Sequence, residues 1–273
     1  MNHKSILLVG GGLFVTMALC APASAQVKPG MDLTVEAYSH EYEEEFGGTW
    51  FMTNEGFLGS IGLGYTAPLD DGFFIRVAPS IALGSVDYTS NGTGSIDGTT
   101  NYTFTADLLA GKEFTLQSGT IIAASAGLGY RAHWDDKGGK VTTTGYLGYD
   151  RRSEYLYMPL SLSVNFPAGD NWRIEPAITY KVFLQGTQTS KFSGVDSTCT
   201  DLENDQESGY GIAASLMGHT HWGETPVAFG PFYRQWNIDE SEVGHFSCGA
   251  TLYFGIEPEN TTIEFGMGIR ANF

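Results

Sequence analysis

The chain has 273 residues and a formal net charge of −17, with 14 Lys and Arg against 31 Asp and Glu. That balance excludes nucleic-acid binding, which needs basic side chains to neutralise phosphates, and simple adhesion to anionic lipid. Aromatics make up 13% of the chain and mean hydropathy is only −0.11, a combination expected where lipid-facing and water-facing residues alternate along strands.

The N-terminus carries Lys4, an apolar run from Ile6 to Leu19, and then Ala21-Pro22-Ala23-Ser24-Ala25. A basic start, a short apolar core and an Ala-x-Ala site compose a cleavable secretory signal, predicted to span 1–25. The run is too short for a membrane helix, which takes about 20 apolar residues. Leu19 stands where a lipidation signal has a small residue before its cysteine, so Cys20 reads as part of the signal. Residues 26–273 then form one domain.

Alternation of apolar with polar or small residues predicts about ten strands in that domain. In chain order they cover 31–42, 52–67, 73–86, 100–114, 120–134, 153–166, 172–184, 208–217, 226–238 and 263–273. The last runs to the terminus with Ile263, Phe265, Met267, Ile269, Ala271 and Phe273 on one face. The segment 249–256 reads as a hairpin arm on a loop. Assigning such hairpins to the wall, or merging strands, would change the count to twelve or eight. Asp70-Asp71-Gly72, Gln117-Ser118-Gly119, 167–171 and 219–225 are short turns, whereas the alternate connections are mostly longer and polar.

Export, alternating strands and unequal connections together predict an all-β fold: an antiparallel, up-and-down transmembrane β-barrel in the outer membrane of a Gram-negative bacterium. Strands can cross lipid only if they close, because an open edge leaves backbone groups unpaired. An even strand count puts both termini in the periplasm and the long loops outside. A soluble sandwich or lipocalin-like barrel is the rival, but it lacks a core for so many outward Phe, Tyr and Ile side chains.

The complementary strand positions face the lumen. They include Glu36, Arg76, Asp107, Glu113, Arg131, Arg173, Glu175, Lys181, Arg234, Glu264 and Arg270, separated by Gly, Ala and Ser. Charges of both signs inside a narrow barrel must pair, which predicts a salt-bridged plug. A narrow porin-like channel with selectivity set by the same residues is the alternative. Aromatics near strand ends (Tyr38, Trp50, Phe51, Trp134, Tyr155, Tyr157, Trp172, Trp222 and Trp236) fit interfacial belts.

Three constellations bear on chemistry. His40, His133, Asp87, Asp135 and Asp136 are predicted near the outer rim. His245-Phe246-Ser247 offers a His-x-Ser pair without an identified orienting acid. His219-Thr220-His221 puts two imidazoles on one face, which reads as a turn feature rather than a metal site. Glu41, Glu43, Glu44 and Glu45 are assigned to the first outer loop, Asp201, Glu203, Asp205 and Glu207 to the fourth, and Asp239, Glu240 and Glu242 to the last. These acids predict a solvated negative rim that divalent cations could bridge to lipopolysaccharide. No cofactor is called for. Cys199 and Cys248 fall in neighbouring outer loops of an exported protein, which predicts a disulfide.

In its signal, its alternating strands, its short-turn and long-loop pattern and its terminal Phe273, the chain resembles the small outer-membrane β-barrels, a class including OmpA-type and opacity-type barrels. The resemblance implies a monomer embedded in outer-membrane lipid, with a structural or surface-interaction role through its loops. It also implies that Phe265, Met267, Ile269 and Phe273 form the C-terminal signal presented to the barrel-assembly machinery. The strand count is similar to that of the omptin proteases, but no Asp-x-Asp or Asp-His pair of their kind stands at matching places. The expectation is therefore a protein without enzymatic activity; an omptin-like protease or a lipid A deacylase is the remote alternative.

Overall fold

The computed structural model describes residues 29–273; the predicted signal over 1–25 lies outside the described residues. The described residues form thirteen strands: β1 (Gly30–Phe46), β2 (Thr49–Pro68), β3 (Phe73–Ser90), β4 (Gly94–Thr115), β5 (Ile121–Asp136), β6 (Arg151–Pro167), β7 (Arg173–Ser190), β8 (Leu202–Gln206), β9 (Gly209–Trp222), β10 (Thr225–Ile238), β11 (Gly244–Cys248), β12 (Thr251–Gly255) and β13 (Glu259–Asn272). Ten of them close a barrel in the cyclic order β1-β2-β3-β4-β5-β6-β7-β9-β10-β13, every pair antiparallel. The closing seam joins β1 to β13 from Asp32↔Asn272 through Val35↔Ile269 to Glu45↔Glu259. Phe273 exchanges backbone hydrogen bonds with Met31 at 2.8 and 3.3 Å, so the last residue completes the wall.

The pleat sorts side chains by sequence parity. On β2, Phe57, Ile61, Leu63 and Tyr65 point outward and are 77, 51, 52 and 52% exposed. Between them, Leu58 is buried and Gly62 and Gly64 keep the inner wall low. The same outward rows recur as Ile75, Val77, Ile81 and Leu83 on β3 and as Phe265, Met267 and Ile269 on β13. This apolar belt circles the molecule and has no covering layer, which is stable only against lipid. Among the described residues no helix is long enough to cross a membrane; the strands do so.

One end of the barrel carries the start of β1, the end of β13 and the tight turns after β2, β4, β6 and β9; we call it the terminal end. At the other, the loop end, the strands continue beyond the apolar belt. β1 and β2 meet in a two-residue turn, Gly47-Gly48, and β3 and β4 meet across Asn91–Thr93. The predicted first outer loop is therefore strand: Glu41, Glu43, Glu44 and Glu45 all lie on β1. The run 201–207 is likewise largely β8, which pairs with β7 and exposes Glu203 and Asp205 while burying Asn204 and Gln206. The predicted hairpin arm is β11–β12, outside the barrel wall.

Close strand packing depends on missing side chains at a few points. A Cβ on Gly127 would fall on the carbonyl oxygen of Leu108 in the neighbouring strand. Gly127→Val should therefore destabilise the barrel by about 1–3 kcal/mol, the usual cost of overpacking. Denaturant midpoints in detergent micelles would check this, and an unchanged midpoint would contradict it.

Candidate functional site

The lumen has two unlike halves. Toward the loop end, side chains from almost every strand fill it. Arg151 is sandwiched between two carboxylates, 2.5 Å from Glu44 and in shorter contact with Glu257; all three are buried. The Tyr42 hydroxyl lies 2.8 Å from Glu44 and 3.1 Å from Glu257. Beside this cluster Asp135 binds Lys137 at 2.6 Å and accepts hydrogen bonds from Asn54 at 2.9 Å and Asn101 at 3.2 Å. Tyr155, Tyr157 and Trp236 form an aromatic layer beneath, with Trp236 5.6 and 5.0 Å from the two tyrosines. A gap of about 10 Å³ bordered by Tyr42, Asn54, His133 and Arg151 is at the limit of one water molecule.

Burial sets the electrostatics at this end. It pushes the Glu257 carboxyl up to about 8, with Arg151 opposing the shift and Glu44 adding to it. Burial likewise lowers the Lys137 ammonium, against the attraction of Asp135, and raises the Tyr149 phenol to about 12.

Toward the terminal end the lumen opens into two chambers of about 210 and 300 Å³. The first is lined by Glu36, Arg76, Asp107, Arg131, Lys181, Arg234 and Glu264, and the second by Glu36, Glu175, Arg234 and Arg270 among others. Arg76 donates to both oxygens of Asp32, at 2.6 and 3.0 Å. Arg234 bridges Glu36, in close contact, and Glu264 at 3.4 Å. Arg270 and His219 lie 3.5 and 3.4 Å from Glu175. Arg173 stands apart at the terminal mouth, donating to the Asn165 side chain and to the Gly119 carbonyl at 2.8 Å.

Several predicted placements are corrected. His40 and His133 are not at the rim. They are buried inside the barrel and stacked at 5.3 Å, with His40 3.4 Å from Glu264 and His133 2.8 Å from the Thr103 hydroxyl. Asp135 is buried with Lys137, whereas exposed Asp87 accepts from the Gly98 amide at 2.8 Å. Tyr38, Tyr155, Tyr157 and Trp236, expected at the membrane interface, are buried in the lumen because their parity matches the inner wall. His219 and His221 extend β9 instead of forming its turn; His219 engages Glu175 and His221 is exposed. Among the described residues no group of three His, Cys, Asp or Glu side chains is placed to hold a metal ion.

Cys199 and Cys248 form a disulfide. It ties the β11–β12 arm to the segment before β8, where Thr200 donates its amide to Ser247 and Gly249 to Thr198, at 2.8 and 2.9 Å. Phe246 stacks between Phe192 at 4.6 Å and Tyr253 at 5.3 Å. On this arm Leu252, Tyr253 and Phe254 are exposed, as are the acidic Glu240 and Glu242 in the connection that precedes it.

No protein-family model and no curated protein matches the chain. Solved structures do. The outer membrane protease OmpT of Escherichia coli superposes with a TM-score of 0.57 at 9% identity, covering 92% of this chain and 100% of that one. The transport unit of the autotransporter AIDA-I of Escherichia coli gives 0.46 at 9% identity, covering 96% and 94%. Neisserial surface protein A gives 0.36 at 13% identity, covering 89% and 97%. At such identities a superposition speaks for the fold and not for an activity. The closed ten-strand antiparallel wall, the uncovered apolar belt and the superposition on OmpT give the chain the fold of an outer-membrane β-barrel.

Proposed function

We propose that the protein is a non-conducting surface barrel: the wall anchors it in the outer membrane, and the rigid, acidic loop end is its working face. The observation that carries this reading is the buried layer across the loop-end lumen. Arg151, Glu44, Glu257, Asp135 and Lys137 are each no more than 8% exposed, and their charges are matched to one another. Opening a path there would separate buried ion pairs, which costs several kcal/mol for each unpaired charge. In this reading the terminal end faces the periplasm. The rows ending in Phe273 engage the assembly machinery, and the acids of the rim meet lipopolysaccharide through divalent cations or meet a basic partner surface. The barrel acts as a monomer without a cofactor.

The test is single-channel recording in planar bilayers with the folded, heat-modifiable protein. The expected trace is flat, with no stable conductance step at moderate voltage. Reproducible steps whose ion selectivity changes in Glu44→Gln would replace the plug by a narrow channel.

A further inference from the structure

Two cations that line one chamber of the lumen have no ion-pair or hydrogen-bond partner among the described residues. Arg131, on β5, is 4% exposed, its Nη2 has no hydrogen-bond partner, and no carboxylate is in ion-pair contact with it among the described residues. Lys181, on β7, likewise has no ion-pair or hydrogen-bond partner among the described residues; its Nζ stands 4.7 Å from the Trp236 ring and 5.3 Å from that of Tyr157. Arg131 in turn lies 5.7 Å from the Tyr155 ring. Both cations thus rest on the aromatic layer that roofs the 210 Å³ chamber, and both line that chamber.

An ammonium has three donors and a guanidinium five. Arg131 Nη2 is fully buried without an acceptor, which is costly unless something in the chamber supplies one. Elsewhere in this barrel each comparable cation has an acceptor: Asp32 for Arg76, Glu36 and Glu264 for Arg234, Glu175 for Arg270. The remaining carboxylate of the chamber wall, Asp107, is engaged by the Tyr157 hydroxyl at 2.8 Å. It opposes an incoming anion but does not occupy the donors of Arg131 or Lys181.

We propose that the chamber under Tyr157 and Trp236 is a binding site for a small oxyanion, a carboxylate or a phosphate, held between Arg131 and Lys181. The roof blocks entry from the loop end, so the anion arrives from the terminal end, past the Arg76–Asp32 pair. The site is a blind pocket and does not require conduction. It is independent of the role assigned to the loop end.

The probes are inorganic phosphate and acetate, titrated separately into the folded protein in zwitterionic detergent at low ionic strength. Folding of every variant is verified by heat-modifiable migration. At least one probe should bind saturably with one site per chain, and which one binds tells phosphate from carboxylate. Lys181→Gln and Arg131→Gln should each weaken binding by about tenfold or more, the size of a lost charge-assisted hydrogen bond. Asp107→Asn should strengthen it, a gain that general disruption of the barrel would not produce. Lys112→Gln, an outward cation lying against Phe73, should leave it unchanged. Saturable binding of neither probe up to about 10 mM, an affinity too weak to matter, would overturn the proposal. So would binding that Lys181→Gln and Asp107→Asn both leave unaltered.

Discussion

Replacing Arg151 with methionine should loosen the loop end more than any other single change in the lumen. The substitution keeps most of the volume but leaves Glu44 and Glu257 facing each other, buried, with only the Tyr42 hydroxyl between them. Removing one partner from a buried ion pair typically costs about 3–5 kcal/mol. The loss is local at first. Glu257 lies in the connection that returns from the arm to β13, and its amide is held by the Ser241 hydroxyl at 2.8 Å. Hydrogen exchange of the loop-end amides should therefore accelerate before the barrel wall unfolds. If Arg151→Met exchanges like the parent, the triad does not hold this end together.

The same triad gives the loop end a pH dependence of predictable sign. The folded state raises Glu257 from its ordinary value near 4.5 to about 8, because burial disfavours the charge more than Arg151 favours it. A carboxyl raised on folding holds a proton that the unfolded chain has released. Stability from this group is therefore full below pH 4.5, declines as pH rises toward about 8, and is level above it. Glu257→Gln keeps a hydrogen-bonding group of the same shape without the titration. It should flatten the decline and leave the loop end firmer than the parent at pH 8. In the Glu44→Gln variant Arg151 retains a single carboxylate, Glu257, which should then ionise at a lower pH and shift the decline downward.

The wall of this molecule was legible in its sequence because lipid imposes a binary choice on each residue. Phe57, Ile61 and Leu63 must face out, and so the Gly and Leu58 between them face in. Beyond the lipid that choice disappears. Tyr42 and Glu44 point inward while Glu43 and Glu45 point outward, and both sets are polar or amphipathic, so the continuation of β1 to Phe46 leaves no alternation to read. The same holds for β4 from Gly94 and for β8. Parity could still have placed Tyr155, Tyr157 and Trp236 inside, since they share a face with inward neighbours; their aromatic character near strand ends pointed instead to the interface. The lumen charges could be assigned to a face, but not to partners. Arg151 meets residues 107 positions before it and 106 after it, and only closure of the ring brings them together. That Arg131 and Lys181 lack partners is likewise a property of three-dimensional spacing.

Removing the disulfide should free the arm without opening the barrel. Cys199 and Cys248 are 49 positions apart, and a flexible loop of that length would give about 4 kcal/mol of stabilisation in the chain-entropy estimate. Most of the intervening chain, however, is β9 and β10, already fixed between β7 and β13. The cross-link therefore adds little to the wall and acts on the short, exposed segments that flank it. The Cys199→Ser/Cys248→Ser protein should keep its heat-modifiable migration. Protease cleavage between Asp239 and Pro258 should quicken by about tenfold, the factor for roughly 1.4 kcal/mol of lost local stability. The backbone bonds of Thr200 and Gly249 and the Phe192–Phe246–Tyr253 stack persist without sulfur and set the upper limit of that effect. Equal cleavage rates would assign the arm's order to those contacts alone. Loss of heat-modifiable migration would instead mean that the arm braces the wall itself, coupling the loop end to the barrel through one covalent bond.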